Sequence, residues 1–187
     1  EGDFKRKFNQ IEENQVISRW NDKGDGVWEK NAQNEISKAV FIDRKEVDIS
    51  NLEASKVYQS FIGIGGVNGW FDFDFLWELR GIIDKLIGGV GLKRGRRSQC
   101  DLRISDCLDF WKVVDLQKDK RLLLYAQMKV PGEAWLEFKI KDNKLIQSAY
   151  FYPKGVFGRL YWYALVPLHY FVFNNMIKSI IKKAKAL

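Results

Sequence analysis

Residues 132–152 read GEAWLEFKIKDNKLIQSAYFY, two alternating runs on either side of Asp142-Asn143. Leu136, Phe138 and Ile140 share one face of an extended chain and oppose Glu137, Lys139 and Lys141, because successive strand side chains point to opposite sides. Asp142-Asn143 supplies residues that accept a tight turn, and the chain returns through residues 145–152. The stretch is a β-hairpin, and strands joined this closely pair antiparallel.

The same period of two extends upstream. Leu122, Leu124, Ala126 and Met128 form one alternating set. Before them, Leu108, Phe110 and Val114 are set against Asp109, Trp111 and Asp115. Lys118-Asp119-Lys120 and Pro131-Gly132 mark the turns between, so residues 98–152 predict an antiparallel meander. Downstream, residues 156–185 predict one long helix. At ~1.5 Å per residue it is on the order of 40 Å long, with Pro167 expected to kink it. Near the start, residues 39–49 read as a strand with Val47 and Ile49 on one face. Ser50-Asn51-Leu52-Glu53 has capping-box spacing ahead of a helix bearing Val57 and Phe61. Gly63-Ile64-Gly65-Gly66-Val67-Asn68-Gly69 ends that helix. A second follows over residues 72–87, with Phe75, Leu79, Ile82 and Leu86 on a shared face and Gly88 and Gly89 at its end.

The order strand, two short helices, antiparallel strands and long helix defines an α+β class. A sheet with one apolar face must cover it, and only the helices are available, so a curved antiparallel sheet wraps the long C-terminal helix. Incomplete contact between the two would leave a pocket. Residues 1–37 are too polar to fold alone, and residues 38–187 form the domain.

Composition narrows the function. The chain has 187 residues, 46% of them hydrophobic, 14% aromatic and 29% charged, which is globular. Its formal charge of +7 is concentrated in Lys93-Arg94-Gly95-Arg96-Arg97 and in Lys178, Lys182, Lys183 and Lys185. Such runs are as a rule solvated, or paired here with Asp101, Asp106 and Asp109; a phosphate cradle is the sharper alternative. The aromatics sit in periodic elements and are not interleaved with the basic runs, which argues against nucleic-acid binding. Cys100 and Cys107 make neither a disulfide framework nor a CxxC metal knuckle. The acidic, polar start is no signal peptide, and with no initiator Met the chain reads as a processed or truncated product, expected in the cytoplasm.

No catalytic centre, cofactor site or metal site is identifiable. Gly63–69 and Gly89-Val90-Gly91-Leu92-Lys93-Arg94-Gly95 only approximate dinucleotide loops and lack the strand that must precede one. His169 is the single histidine, with Leu168, Tyr170 and Phe171 beside it, and reads as a buried or helix-face residue. Asp72, Asp74 and Glu78 are explained by the helix start they occupy. Glu133 and Glu137 would become general acids only by facing a cavity. The apolar run 160–173 is shorter than the ~20 residues that span a bilayer. Its rings, Tyr161, Trp162, Tyr163, Tyr170, Phe171 and Phe173, exceed what one buried stripe needs, so the surplus faces a cavity, another domain or a second copy. The expected cavity wall comprises Trp70, Phe75, Trp77, Phe110, Trp111, Trp135, Glu137, Phe138, Tyr150, Tyr161 and Trp162. Its occupant would be a small apolar or aromatic molecule. In the alternative, the domain is a non-catalytic module that docks on a neighbour or forms a homodimer.

Six segments carry a resemblance. They are Gly69-Trp70-Phe71, Leu76-Trp77-Glu78-Leu79-Arg80-Gly81, Gly88-Gly89-Val90-Gly91-Leu92-Lys93-Arg94-Gly95-Arg96-Arg97, Asp106-Cys107-Leu108-Asp109-Phe110-Trp111, Pro131-Gly132-Glu133-Ala134-Trp135-Leu136-Glu137-Phe138 and Gly158-Arg159-Leu160-Tyr161-Trp162-Tyr163. Across about residues 40–180 the chain resembles poorly characterised C-terminal domains of atypical short-chain dehydrogenase/reductase proteins, often labelled NAD-dependent or nucleoside-diphosphate-sugar epimerases. The resemblance implies a helix-grip fold similar to START and Bet v 1-like domains. It also implies an N-terminal Rossmann domain that binds NAD(P), with residues 1–37 as its end and the linker. It transfers an architecture and no reaction.

Overall fold

In the computed structural model, residues 36–65, 69, 96–98, 101–127 and 129–187 are described. Their order is β1 (Phe41–Asp48), α1 (Ala54–Ile62), β2 (Cys107–Leu108), β3 (Trp111–Gln117), β4 (Arg121–Ala126), β5 (Gly132–Lys141), β6 (Lys144–Pro153) and α2 (Gly155–Ala186). The strands make one six-stranded antiparallel sheet in the order β1-β6-β5-β4-β3-β2. From β2 to β6 it is a plain meander. Only β1 pairs out of sequence, with Phe41 opposite Phe151 and Val47 opposite Leu145. The helix expected at residues 72–87 lies outside the described residues, as do Trp70, Phe75 and Trp77.

The deciding hairpin forms as expected. Asp142 and Asn143 take φ of 51° and 55°, the left-handed region that a two-residue hairpin turn requires and that Asp and Asn tolerate best. Alternation then sends Leu136, Phe138, Leu145 and Ala149 to the side covered by the helices. They join Leu122, Leu124, Val113, Phe61, Met176, Ile177 and Ile180 in one core. Full burial of a side chain such as Phe138 contributes about 1.5–3 kcal/mol. At 32 residues, α2 is roughly 48 Å long and runs through Pro167, which has no N–H to offer the helix. The architecture is helix-grip, a curved antiparallel sheet around a long C-terminal helix.

Two local readings are corrected. The capping box does not form: Ser50 donates from both N and Oγ to Asp48 Oδ1 (2.7 and 2.6 Å), and Glu53 caps α1 without a side-chain bond. An aspartate two residues away offers a shorter loop than the helix N–H groups do. The alternation across residues 108–115 is also broken, because Asp109 turns the chain at φ 56° and a bulge interrupts the β3–β4 register between Val113 and Asp115. Leu108, Phe110 and Trp111 therefore share the core, while Val114 is turned to the opposite face of the sheet.

That opposite face is itself largely buried. Val114, Leu123, Trp135 and Tyr150 form a second cluster there, with Ile36, Ala39 and Tyr125 packed against it. A sheet with one solvated face would expose these positions. Here β3 to β6 carry apolar residues on both.

Candidate functional site: a cavity between sheet and helix

The two halves of α2 meet the sheet differently. In the C-terminal half Met176, Ile177, Ile180 and Ala184 are buried, and α1 is tied on by Ser60 Oγ donating to the Ile180 carbonyl at 2.7 Å. In the N-terminal half the sheet presents Ala134 and Ala149 to the helix. Methyl groups at these positions cannot reach as far as Phe138 and Leu145 do further along, and a gap remains. Gly158 sets the approach at the near end, since a Cβ there would collide with the Pro131 carbonyl and with Pro153.

The gap is a cavity of about 130 Å³. From the helix its wall takes Tyr161, Trp162, Leu165, Leu168, His169, Val172 and Phe173. From the sheet and its loops it takes Trp111, Val130, Ala134, Trp135, Ala149, Tyr150 and Phe151. No Asp, Glu, Lys or Arg is among these residues. Trp162 lies within 11° of parallel to both Phe41 and Phe151, at 5.3 and 5.6 Å. His169 meets the Trp162 ring edge-on at 5.1 Å and tilts against Phe173 at 4.8 Å. Positions 162, 169 and 173 share one helical face, so α2 lays an aromatic stripe along the cavity with the imidazole in its middle. Burial pushes the His169 imidazole down to about 4, opposed weakly by Asp43 and reinforced by Lys45; it is neutral at pH 7.

The described residues of the expected wall divide into four groups. Trp111, Tyr161 and Trp162 border the cavity directly. Trp135 and Tyr150 border it from strands whose alternation places their side chains in the outer cluster, so the strand backbone is what they contribute. Phe110 and Phe138 are in the packed core, with Phe138 stacked on Phe61 at 5.6 Å, and are not on the wall. Glu137 faces the opposite side of the sheet. There its Oε1 accepts from Arg121 Nε at 2.6 Å and its Oε2 from the Tyr150 hydroxyl at 2.8 Å, while Arg121 Nη1 reaches Asp115 Oδ2 at 2.8 Å. Gln117 Nε2 completes the cluster at 3.0 Å from Asp115. Burial first, and then Glu137, raise the Tyr150 phenol above its usual range. Both oxygens of Glu137 are engaged in this network, which separates it from any cavity chemistry. Glu133 pairs with Lys154 at 3.1 Å.

Residues missed from the sequence are the two alanines, Val130, Phe151, and the helix residues Leu165, Leu168, His169, Val172 and Phe173. Ala134 and Ala149 are small residues at helix-facing strand positions, a signal carried by side-chain size and not by the alternation of apolar residues. The described arginines of the basic run are spent structurally: Arg96 Nη1 donates to the carbonyls of Ile62 and Ile64 at the end of α1, and Arg97 grips Asp106 with two 2.9 Å bonds. Among the described residues no three His, Cys, Asp or Glu side chains cluster as a metal site, and no helix is long and apolar enough to cross a membrane.

A helix-grip domain enclosing a small apolar cavity is the class these features define. The chain belongs to the family described as "Protein of unknown function (DUF2867)", whose model matches residues 36–176. No curated protein matches it. Among solved structures it is similar to protein CV1439 from Chromobacterium violaceum, at 10% identity and a TM-score of 0.38, over 74% of this chain and 94% of that one. It is also similar to CalU16 from Micromonospora echinospora, at 11% identity and a TM-score of 0.31, over 78% and 83%.

Proposed function

We propose that this domain binds a small apolar molecule, about the size of one aromatic ring, between the sheet and the N-terminal half of α2. The cavity itself carries the reading: about 130 Å³, ringed by aromatic and aliphatic side chains, with no formal charge among its described wall residues. An engineered apolar cavity of roughly 150 Å³ takes up benzene, so the volume suits a single ring. The resemblance to C-terminal domains of reductase proteins supports an accessory role, with the ligand held beside an NAD(P)-binding domain. Titration with benzene or toluene, followed through the methyl signals of Ala134, Ala149, Leu165 and Val172, tests the assignment. Saturable shifts are expected in the wild-type chain and none in Ala149→Leu, whose side chain fills the space. Methyl signals that stay put in the wild type up to the aqueous solubility of benzene would remove the ligand.

A second reading has its own observation. Away from the sheet, Val156, Phe157, Leu160, Tyr163, Val166, Tyr170 and Phe171 line the outside of α2, with Phe157 80% and Phe171 62% exposed. A helix apolar on all sides needs cover on all sides. A second copy suits the layout: antiparallel pairing about a two-fold axis near Tyr163 would join the apolar halves and send Lys178, Lys182, Lys183 and Lys185 to opposite ends. Sedimentation velocity should then show a dimer that Phe157→Lys with Phe171→Lys converts to monomer. A wild-type monomer at every concentration rules the dimer out.

A further inference from the structure

His169 Nδ1 is buried and has no hydrogen-bond partner. Buried polar atoms are almost always satisfied, by protein, by water or by a ligand. Trp135 and Gln147 share the condition, and neither is on the cavity wall by its side chain: Trp135 belongs to the outer cluster, and Gln147 lies on β6 outside the wall. At His169 the cavity wall therefore asks for a polar group.

Its chemistry limits what that group is. A neutral imidazole has one N–H and one acceptor nitrogen, and which of them is Nδ1 depends on the partner. A hydroxyl both donates and accepts, so it satisfies Nδ1 in either tautomer; a carbonyl or a nitrile satisfies only one. A carboxylate would bring a charge to a wall with no cation among its described residues, and the nearby pair on β1, Lys45 and Asp43, is already joined at 2.9 Å. The remaining wall contacts are the faces and edges of Trp162 and Phe173 beside the imidazole, which suit another ring.

We propose that the cavity selects a neutral single-ring ligand bearing one hydroxyl, a simple phenol, bonded through that hydroxyl to His169 Nδ1. The assignment rests on the cavity being a ligand site and deepens it. Phenol and toluene, alike in size and differing in the hydroxyl, are the probes, titrated at pH 7 into the wild-type chain and into His169→Leu. The ratio of phenol to toluene affinity is expected to fall at least tenfold in the variant. In the wild type, phenol should also move the ¹⁵Nδ1 resonance of His169 while toluene leaves it in place, a readout that stands even where the variant does not fold. Toluene binding with an unmoved Nδ1 signal and an unchanged ratio overturns the phenol assignment and leaves the apolar cavity standing. No binding of either probe to the wild type overturns both.

Discussion

Arg121→Met is expected to lower the unfolding free energy by about 3–5 kcal/mol, because it removes the guanidinium bonded to two buried carboxylates. Glu137 and Asp115 have side chains only 8% and 10% exposed, and Arg121 bonds to both. The arginine is 18% exposed, so some solvent screening places the loss toward the lower end of the range. The network is not a net source of stability in proportion. Arg121→Met combined with Asp115→Leu and Glu137→Leu should recover most of the loss, since a buried ion cluster and an apolar replacement of similar volume are often near equal. Urea unfolding of the single and triple variants, with Tyr150→Phe to release the fourth partner, gives the couplings. A loss below about 1 kcal/mol for Arg121→Met would mean that the carboxylates are reached by water.

Acid should act on the cavity side of the sheet. Above pH ~6.5 His169 is neutral in both folded and unfolded chains. As the pH falls below that value the unfolded chain takes up a proton, and the folded chain refuses it until about pH 4, because burial disfavours the imidazolium. The neutral histidine thus contributes stability that is present above pH ~6.5 and lost on descent to about 4. The loss is at most ~3 kcal/mol at 1.36 kcal/mol per unit. Asp43 and Lys45 on β1 are the charged groups that act on the ring, with opposite signs. Carboxylates titrate in the same window, so the comparison that isolates the histidine is the drop in urea midpoint between pH 7 and pH 4.5 for wild type against His169→Leu. An equal drop in both would place the imidazole in contact with solvent.

The fold was legible because its signals are local. The 132–152 hairpin, the turn residues at 118–120 and the apolar run of α2 each follow from spacing over a few residues, and the topology needs little more. The site was legible only in part, because it depends on depth and not on period. Tyr161 and Trp162 were found from the excess of rings on α2. Strict alternation from Leu136 and Phe138 sends Trp135 and Glu137 to the far face, and Tyr150 follows as the partner of Trp135 on β6. The gap itself comes from missing volume at Ala134 and Ala149, and a pattern of hydrophobic residues does not register an absence of bulk. His169 was discounted on its sequence neighbours, whereas its contacts are Trp162 and Phe173, seven residues back and four ahead.

The outermost strand bears on how the molecule meets others of its kind. Five of the eight residues of β1 are charged, Asp43, Arg44, Lys45, Glu46 and Asp48, and the signs are mixed along its length. A free rim of backbone N–H and C=O groups invites strand-by-strand growth into fibres, and ionic side chains on the rim oppose it, since an added strand would have to strip their water. At the other rim β2 offers only two residues. Among the described residues, both margins of the sheet are therefore poor templates for polymerisation.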